Sequence, residues 1–175
     1  MRVRIRRPGS GQLSVDEIEA VYRHDAVNFE RVAIAITGDE QLGCDAVHDA
    51  FVLALRHRER FRGEAPLEAW LWRIVINEAR KRRVREAGVL ATDPSQLELV
   101  AAPSNGGLDR ARVRGAIAAL PERQRLALFL RHYADLDYAT IAQALAVEPG
   151  TVAATLSAAR GRLREQLREV HEWEV

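Results

Sequence analysis

A single cysteine, Cys44, excludes an internal disulfide. Aromatic residues make up only 6% of the chain, and Gly and Pro number 11 and 6 among 175 residues. Ala, Leu, Arg and Glu stand in their place, a composition that favours helix over sheet and predicts an all-α fold. No charged start followed by an apolar run resembles a signal peptide, and no apolar run is long enough for a membrane span. A cytoplasmic protein without membrane insertion is expected. A surplus of either charge is lacking too: 26 Lys and Arg face 25 Asp and Glu, for a net charge of +1. Any nucleic-acid binding must therefore come from local clusters of cations, not from an overall field. The length allows one ordinary domain or two small ones.

Catalytic and metal-binding patterns are absent as well. His24, His48, His57, His132 and His171 are scattered, and none lies in a Cys/His cluster with metal-ligand spacing. His48 stands beside Asp49, but no nucleophile or Gly-rich phosphate loop accompanies the pair, which reads as a surface pair. Neither a metal, a cofactor nor an enzymatic activity is expected.

What the sequence does have is helical periodicity in two blocks. Residues 1–12 hold Arg2, Arg4, Arg6 and Arg7 with Pro8, Gly9 and Gly11, and read as a mobile basic tail. Ser14 stands three residues before Glu17, a capping-box spacing, and Val15, Ile18, Tyr22, Phe29, Val32, Ala33 and Ile36 follow at helical intervals. Gly38 can end that helix and Asp39 can cap the next. Val47, Ala50, Phe51, Ala54 and Leu55 give a second apolar face from Asp45 onward, up to the polar stretch from Arg58 to Pro66. Leu67, Trp70, Leu71, Ile74 and Val75 predict the inner face of a third helix, with Arg73, Asn77, Arg80 and Lys81 on its outer face. Residues 13–86 thus form a first helical domain.

Residues 87–108 are rich in Gly, Pro, Ser and Asn without a sustained period, and read as a flexible linker. The second domain, residues 109–175, should begin with a helix near Asp109. Pro121 opens the next, in whose first turn a missing amide costs nothing, with Leu126, Phe129, Leu130 and Tyr133 as its core face. A short helix over 138–146, the breaker Glu148-Pro149-Gly150 and a longer helix from Thr151 to about Glu169 outline a helix-turn-helix.

Two features could carry function. The run Arg80, Lys81, Arg82, Arg83 and Arg85 suits a solvated helix end or a phosphate-binding strip, and Arg73 and Asn77 extend it backward. Trp70 and Trp72 could stack on an unpaired base or simply fill the core; burial is expected for Trp70. The helix-turn-helix could lay its last helix in a major groove. Its inner face is Val152, Leu156, Ala159, Leu163, Leu167 and Val170, so the outer face shows Ala153, Ala154, Ser157 and Ala158. These side chains offer little to base edges.

The stretch TGDEQLGCDAVHDAFVLALRHRERFRGEAPLEAWLWRIVINEARKRR from Thr37 resembles the second region of the extracytoplasmic-function sigma factors, with compatible spacing throughout. LPERQRLALFLRHYADLDYATIAQALAVEPGTVAATLSAARGRLREQL from Leu120 resembles their fourth region, and the resemblance runs from about residue 20 to residue 168. It implies two helical domains, core RNA polymerase and promoter DNA as partners, and, at family level, an anti-sigma factor that no residue here identifies. It implies that Asp45, His48, Asp49 and Phe51 dock on the polymerase, His48 standing where the family commonly has Gln. The loop from Phe61 to Pro66, including Arg62, would accept a base flipped from the minus-ten element. Arg73, Asn77, Arg80, Lys81 and Arg83 would read and hold the opened strand without ATP. Thr151, Ala153, Ala154, Ser157, Arg160 and Arg162 occupy the minus-thirty-five positions.

Two positions depart from the family pattern. Ala146 stands where the family usually has Gly. Lys, Arg and His of the recognition helix are replaced by Ala153, Thr155, Ser157 and Ala158. The second domain is therefore expected to touch phosphates through Arg160, Arg162 and Arg164 with weak sequence preference. A sigma-like adaptor or competitor, and a stand-alone helix-turn-helix regulator, are the competing readings.

Overall fold

The computed structural model describes residues 13–89 and 107–168. The basic tail, residues 90–106 of the linker and Val170 lie outside them. Among the described residues the only regular structure is helical, in two groups of helices.

In the first group, α1 (Val15–Thr37) begins with a complete capping box: Ser14 Oγ accepts from the Glu17 amide and the Glu17 carboxylate accepts from the Ser14 amide. Gly38 closes α1 at φ 79°, where its amide donates to the Ile34 carbonyl, a left-handed conformation that glycine adopts without strain. Asp39 then caps α2 (Glu40–Arg56) by accepting from the Leu42 amide at 2.8 Å. The α1–α2 approach is close at Gly43, where a Cβ would stand 2.5 Å from Ile34 Cγ1 and 2.7 Å from its backbone nitrogen. A single 3-10 turn over Arg58–Arg60 and the loop 61–66 lead into α3 (Leu67–Val89).

The core of this group forms around Phe29 and Trp72, both 0% exposed with ring centroids 4.2 Å apart. Leu67, Leu71, Val75, Ile76 and Ala79 complete the buried face of α3. Trp70, expected to be buried, is only half-buried and packs beside Phe61, 5.3 Å between centroids. The buried arc of α3 is turned toward Trp72 and Ile76 because the helix packs against α6 as well as against α1 and α2. Val15 is also exposed, standing in the first turn of α1 before the helix enters the core.

The second group holds α4 (Gly107–Ala118), α5 (Glu122–His132), α6 (Tyr138–Leu145) and α7 (Pro149–Arg168). Pro121 lies one position before α5, not within its first turn; at ψ 140° it is still extended, while its carbonyl accepts from the amides of Gln124 and Arg125. The buried Arg125 donates through Nη1 to the Ala118 carbonyl at 2.7 Å, closing the end of α4. Leu126, Phe129 and Leu130 are buried as expected, but Tyr133 is 47% exposed because α5 ends at His132 and the ring swings to its rim.

Asp137 caps α6 through the Thr140 amide, and Ala146 ends it at φ 54°, ψ 52°. The Val147 amide reaches back to the Ala142 carbonyl at 2.8 Å, so the turn is a helix-terminating loop built on a left-handed alanine. In α7 the inner face is Val152, Leu156 and Ala159, with Leu163 partly buried against them. Leu167, assigned to that face, is exposed at the end of α7.

The groups pack on each other, α3 against α6 and α1 against α5, and their buried residues form one continuous apolar cluster.

Two substitutions test this packing. Gly43→Ala should destabilise the protein by about 2 kcal/mol, because overlap with the Ile34 backbone outweighs the gain in helix propensity of about 1 kcal/mol. Ala146→Gly should stabilise it by about 0.5–1 kcal/mol, as relief of the left-handed strain exceeds the added freedom of the unfolded chain. Urea midpoints at constant slope measure both; opposite signs would contradict the backbone geometry.

Candidate nucleic-acid interface

Consecutive residues of a helix point about 100° apart, so a run of cations on α3 cannot face one way. The structure divides it among three neighbourhoods. Arg73 and Asn77 are exposed on the first half of α3. Lys81, one turn beyond Asn77, is exposed and paired with Glu78 at 2.6 Å. Arg80 and Arg83 are half-buried and converge on one carboxylate of the other helical group: Arg80 Nε donates to Glu122 Oε1 and Arg83 Nη2 to Glu122 Oε2, each at 2.7 Å. Arg80, expected on the outer face with Arg73, therefore lies at the seam between the groups.

Arg82 turns the other way. Its Nη1 donates to Asp45 Oδ2 at 3.0 Å and its Nη2 to Asp49 Oδ2 at 2.7 Å, so one guanidinium straddles two carboxylates one turn apart on α2. The hydrogen bond to Asp49 raises the Arg82 pKa, against the opposing effect of burial. Of the residues assigned to polymerase docking, His48 and Asp49 are exposed and Asp45 is half-buried. Phe51 instead turns toward the core, edge-on to Tyr22 at 4.7 Å and to Phe29 at 5.2 Å.

The loop 61–66 is lined on one side by the half-buried Phe61 and Trp70 rings, with Arg62 exposed beside them and Gly63 at φ 71°. The apolar wall and the nearby cation suit a stacked base next to a phosphate. On α7, Ala153, Ala154, Ser157, Ala158, Arg160 and Arg162 are exposed and Thr151 is half-buried. The Thr155 hydroxyl is turned back to the Thr151 carbonyl at 2.7 Å. The presented surface is methyl groups and one hydroxyl, flanked by arginines.

Sequence reasoning named Arg82 within the basic run but not its partners, and gave Glu122 no role. Each partner of these two lies 33 to 42 residues away, so no local pattern marks them. Burial pushes the Glu122 carboxyl up, but the hydrogen bonds and charges of Arg80 and Arg83 outweigh it and hold the pKa below the ordinary value of 4.5. Arg125, which also feels Glu122, is lowered chiefly by burial. No group of three or more His, Cys, Asp or Glu side chains able to hold a metal occurs among the described residues, and no described helix is long and apolar enough to cross a membrane.

The fold is that of a two-part helical protein with a C-terminal helix-turn-helix. Residues 22–88 match the family model of Sigma-70 region 2, and residues 110–163 match that of Sigma-70, region 4. The chain is 31% identical over 160 residues to the ECF RNA polymerase sigma factor SigL of Mycobacterium tuberculosis, covering 87% of this chain and 90% of that protein. It is 30% identical over 161 residues to the RNA polymerase sigma-H factor of Pseudomonas aeruginosa, covering 83% and 82%. Among solved structures, the sigma factor RpoE in complex with the anti-sigma factor NepR, from Bartonella quintana, aligns with a TM-score of 0.70 at 23% identity over 88% of this chain and 98% of that one. CnrH in complex with the cytosolic domain of CnrY aligns at 0.67 and 22% identity, covering 89% and 90%. The chain belongs to the extracytoplasmic-function group of RNA polymerase sigma factors.

The pH response of the seam follows from Glu122. A carboxyl whose folded pKa is depressed stabilises the packed form above its unfolded pKa, and that contribution is lost as pH falls through the lower folded value. Acid should therefore loosen the contact between the helical groups below about pH 4.5, and Glu122→Gln should flatten that response, read by acid titration of stability.

Proposed function

We propose that this protein binds core RNA polymerase and directs it to promoters, acting as the initiation subunit without a catalytic step of its own. The observation that carries the reading is the sigma-70 region 2 and region 4 pair within one chain, with the Phe61 and Trp70 rings and the exposed Arg62 on the first. In this reading Asp45, His48 and Asp49 of α2 meet a basic surface of the polymerase, while Phe51 supports that helix from below. Phe61 and Trp70 together wall one side of the seat of an unstacked base of the minus-ten element. Arg62, Arg73, Asn77 and Lys81 hold the opened strand, joined by Arg80 and Arg83 when these are free of Glu122. Unstacking a base costs a few kcal/mol, which stacking on aromatics and phosphate contacts can offset, so strand opening needs no nucleotide hydrolysis.

The second unit contributes differently. Thr151, Ala153, Ala154 and Ser157 supply little base-edge hydrogen bonding, whereas Arg160, Arg162 and Arg164 can reach phosphates, so the minus-thirty-five element is held more than read. Action in the cytoplasm and control by an anti-sigma factor fit this reading. The RpoE and CnrH structures that the fold resembles are complexes of that kind or with a cytosolic protein domain.

Run-off transcription with purified core polymerase on a pool of promoter fragments tests the function. Discrete start sites are expected, sharing an upstream minus-ten sequence. Scrambling the minus-thirty-five region should cost less than about tenfold in yield, against more than about a hundredfold for scrambling the minus-ten. Core binding without initiation would sink this reading in favour of an adaptor or competitor.

A further inference from the structure

Arg80 and Arg83 are one helical turn apart on α3, and their guanidinium groups grip the two oxygens of a single carboxylate. A carboxylate held in this way stands in the place of a phosphodiester, which offers the same pair of anionic acceptors to the same donors. Glu122 is the first residue of α5, so its position is fixed by the other helical group and not by α3. Two further contacts hold the same seam. Arg31 of α1 lies 5.8 Å above the ring of Tyr133 at the end of α5, and α6 packs along α3.

We propose that Arg80 and Arg83 form a phosphate seat for single-stranded nucleic acid, that Glu122 occupies this seat in the free protein, and that promoter strand and second helical group therefore compete for it. The proposal rests on the assignment of α3 to the opened strand and adds to it a self-blocking contact. The charges make the exchange feasible. With Glu122 in place the two arginines and the carboxylate carry a net +1, by two positive charges and one negative. Withdrawal of Glu122 restores both charges, so the strip attracts a polyanion only as far as the groups separate. The Glu122 side chain retains 26% exposure, which leaves water and a competing anion a path to the pair. Arg80 and Arg83 are more open still, at 41% and 40%, so water screens the ion pair from the arginine side. The strand then gains counterion release that the carboxylate cannot supply.

Binding of a fluorescein-labelled single strand of about twenty nucleotides to the full chain, without polymerase, tests this by anisotropy at about 0.1 M salt. Glu122→Gln removes the blocking charge while nearly conserving shape. Tyr133→Ala loosens the same seam without altering any charge. Glu19→Gln, on the exposed face of α1, controls for the change in net charge. The first two variants should bind the strand about fivefold or more tighter than wild type, the control within about twofold, and Arg80→Gln with Arg83→Gln should remove the gain.

Energy transfer between dyes at Val27→Cys and Glu165→Cys, both exposed and placed in a Cys44→Ser background, should fall when the strand is added to the otherwise wild-type chain. Affinity of Glu122→Gln no greater than that of Glu19→Gln, or energy transfer unchanged at saturating strand, overturns the competition. Run-off transcription reports separately: start sites from a protein that fails the anisotropy test leave the sigma-factor reading standing without the block. Strand competition in a protein that never initiates leaves the block without the sigma-factor reading.

Discussion

One helix, α3, has to satisfy three neighbours at once. Its buried face sets Trp72 against Phe29 of α1 and packs on α2, while α6 of the second group takes another side. Because a helix offers only one circumference, every polar residue on α3 is confined to the arcs left over. Arg82 fills the arc next to α2, Arg80 and Arg83 the arc next to α5, and Arg73 and Asn77 the arc open to solvent. The division of labour within the basic run is thus a by-product of packing. Shifting α3 by one residue would reassign every cation to a different partner.

What could be read in advance was local. The capping box at Ser14, the helix stop at Gly38 and the cap at Asp39 are all set by residues within a few positions of one another. The outer face of α7 was equally legible, since Val152, Leu156 and Ala159 fix which way the helix must turn. Trp70 and Tyr133 were misplaced because periodicity reports which residues share a face and not how far a neighbour extends over it. Trp72 is covered by α1, whereas Tyr133 falls just past the end of α5. The pairings of Glu122 and Arg82 were illegible for a stricter reason. A charged residue in a sequence of balanced charge has many possible partners, and only the tertiary arrangement selects one.

The C-terminal group separates folding from recognition. Its stability comes from the buried stripe of α7, from Leu126 and Leu130 of α5, and from Arg125 closing the end of α4. None of these faces outward. The exposed alanines of α7 cost the fold nothing, so persistence of the helix-turn-helix frame says little about how sharply it discriminates bases. Function on such a frame has to be argued from the outer face alone, and there this chain is sparsely equipped.

The bridge from Arg82 to Asp45 and Asp49 changes how α2 looks from a distance. Two carboxylates and one guanidinium add to a single negative charge, and the guanidinium lies within hydrogen-bonding reach of both carboxylates. Beyond a Debye length, about 8 Å at physiological ionic strength, an approaching surface senses at most that one charge, heavily screened. The acidic character of this face is therefore a short-range property: it contributes little to the pull that speeds encounter, and takes effect only once two surfaces are already nearly in register.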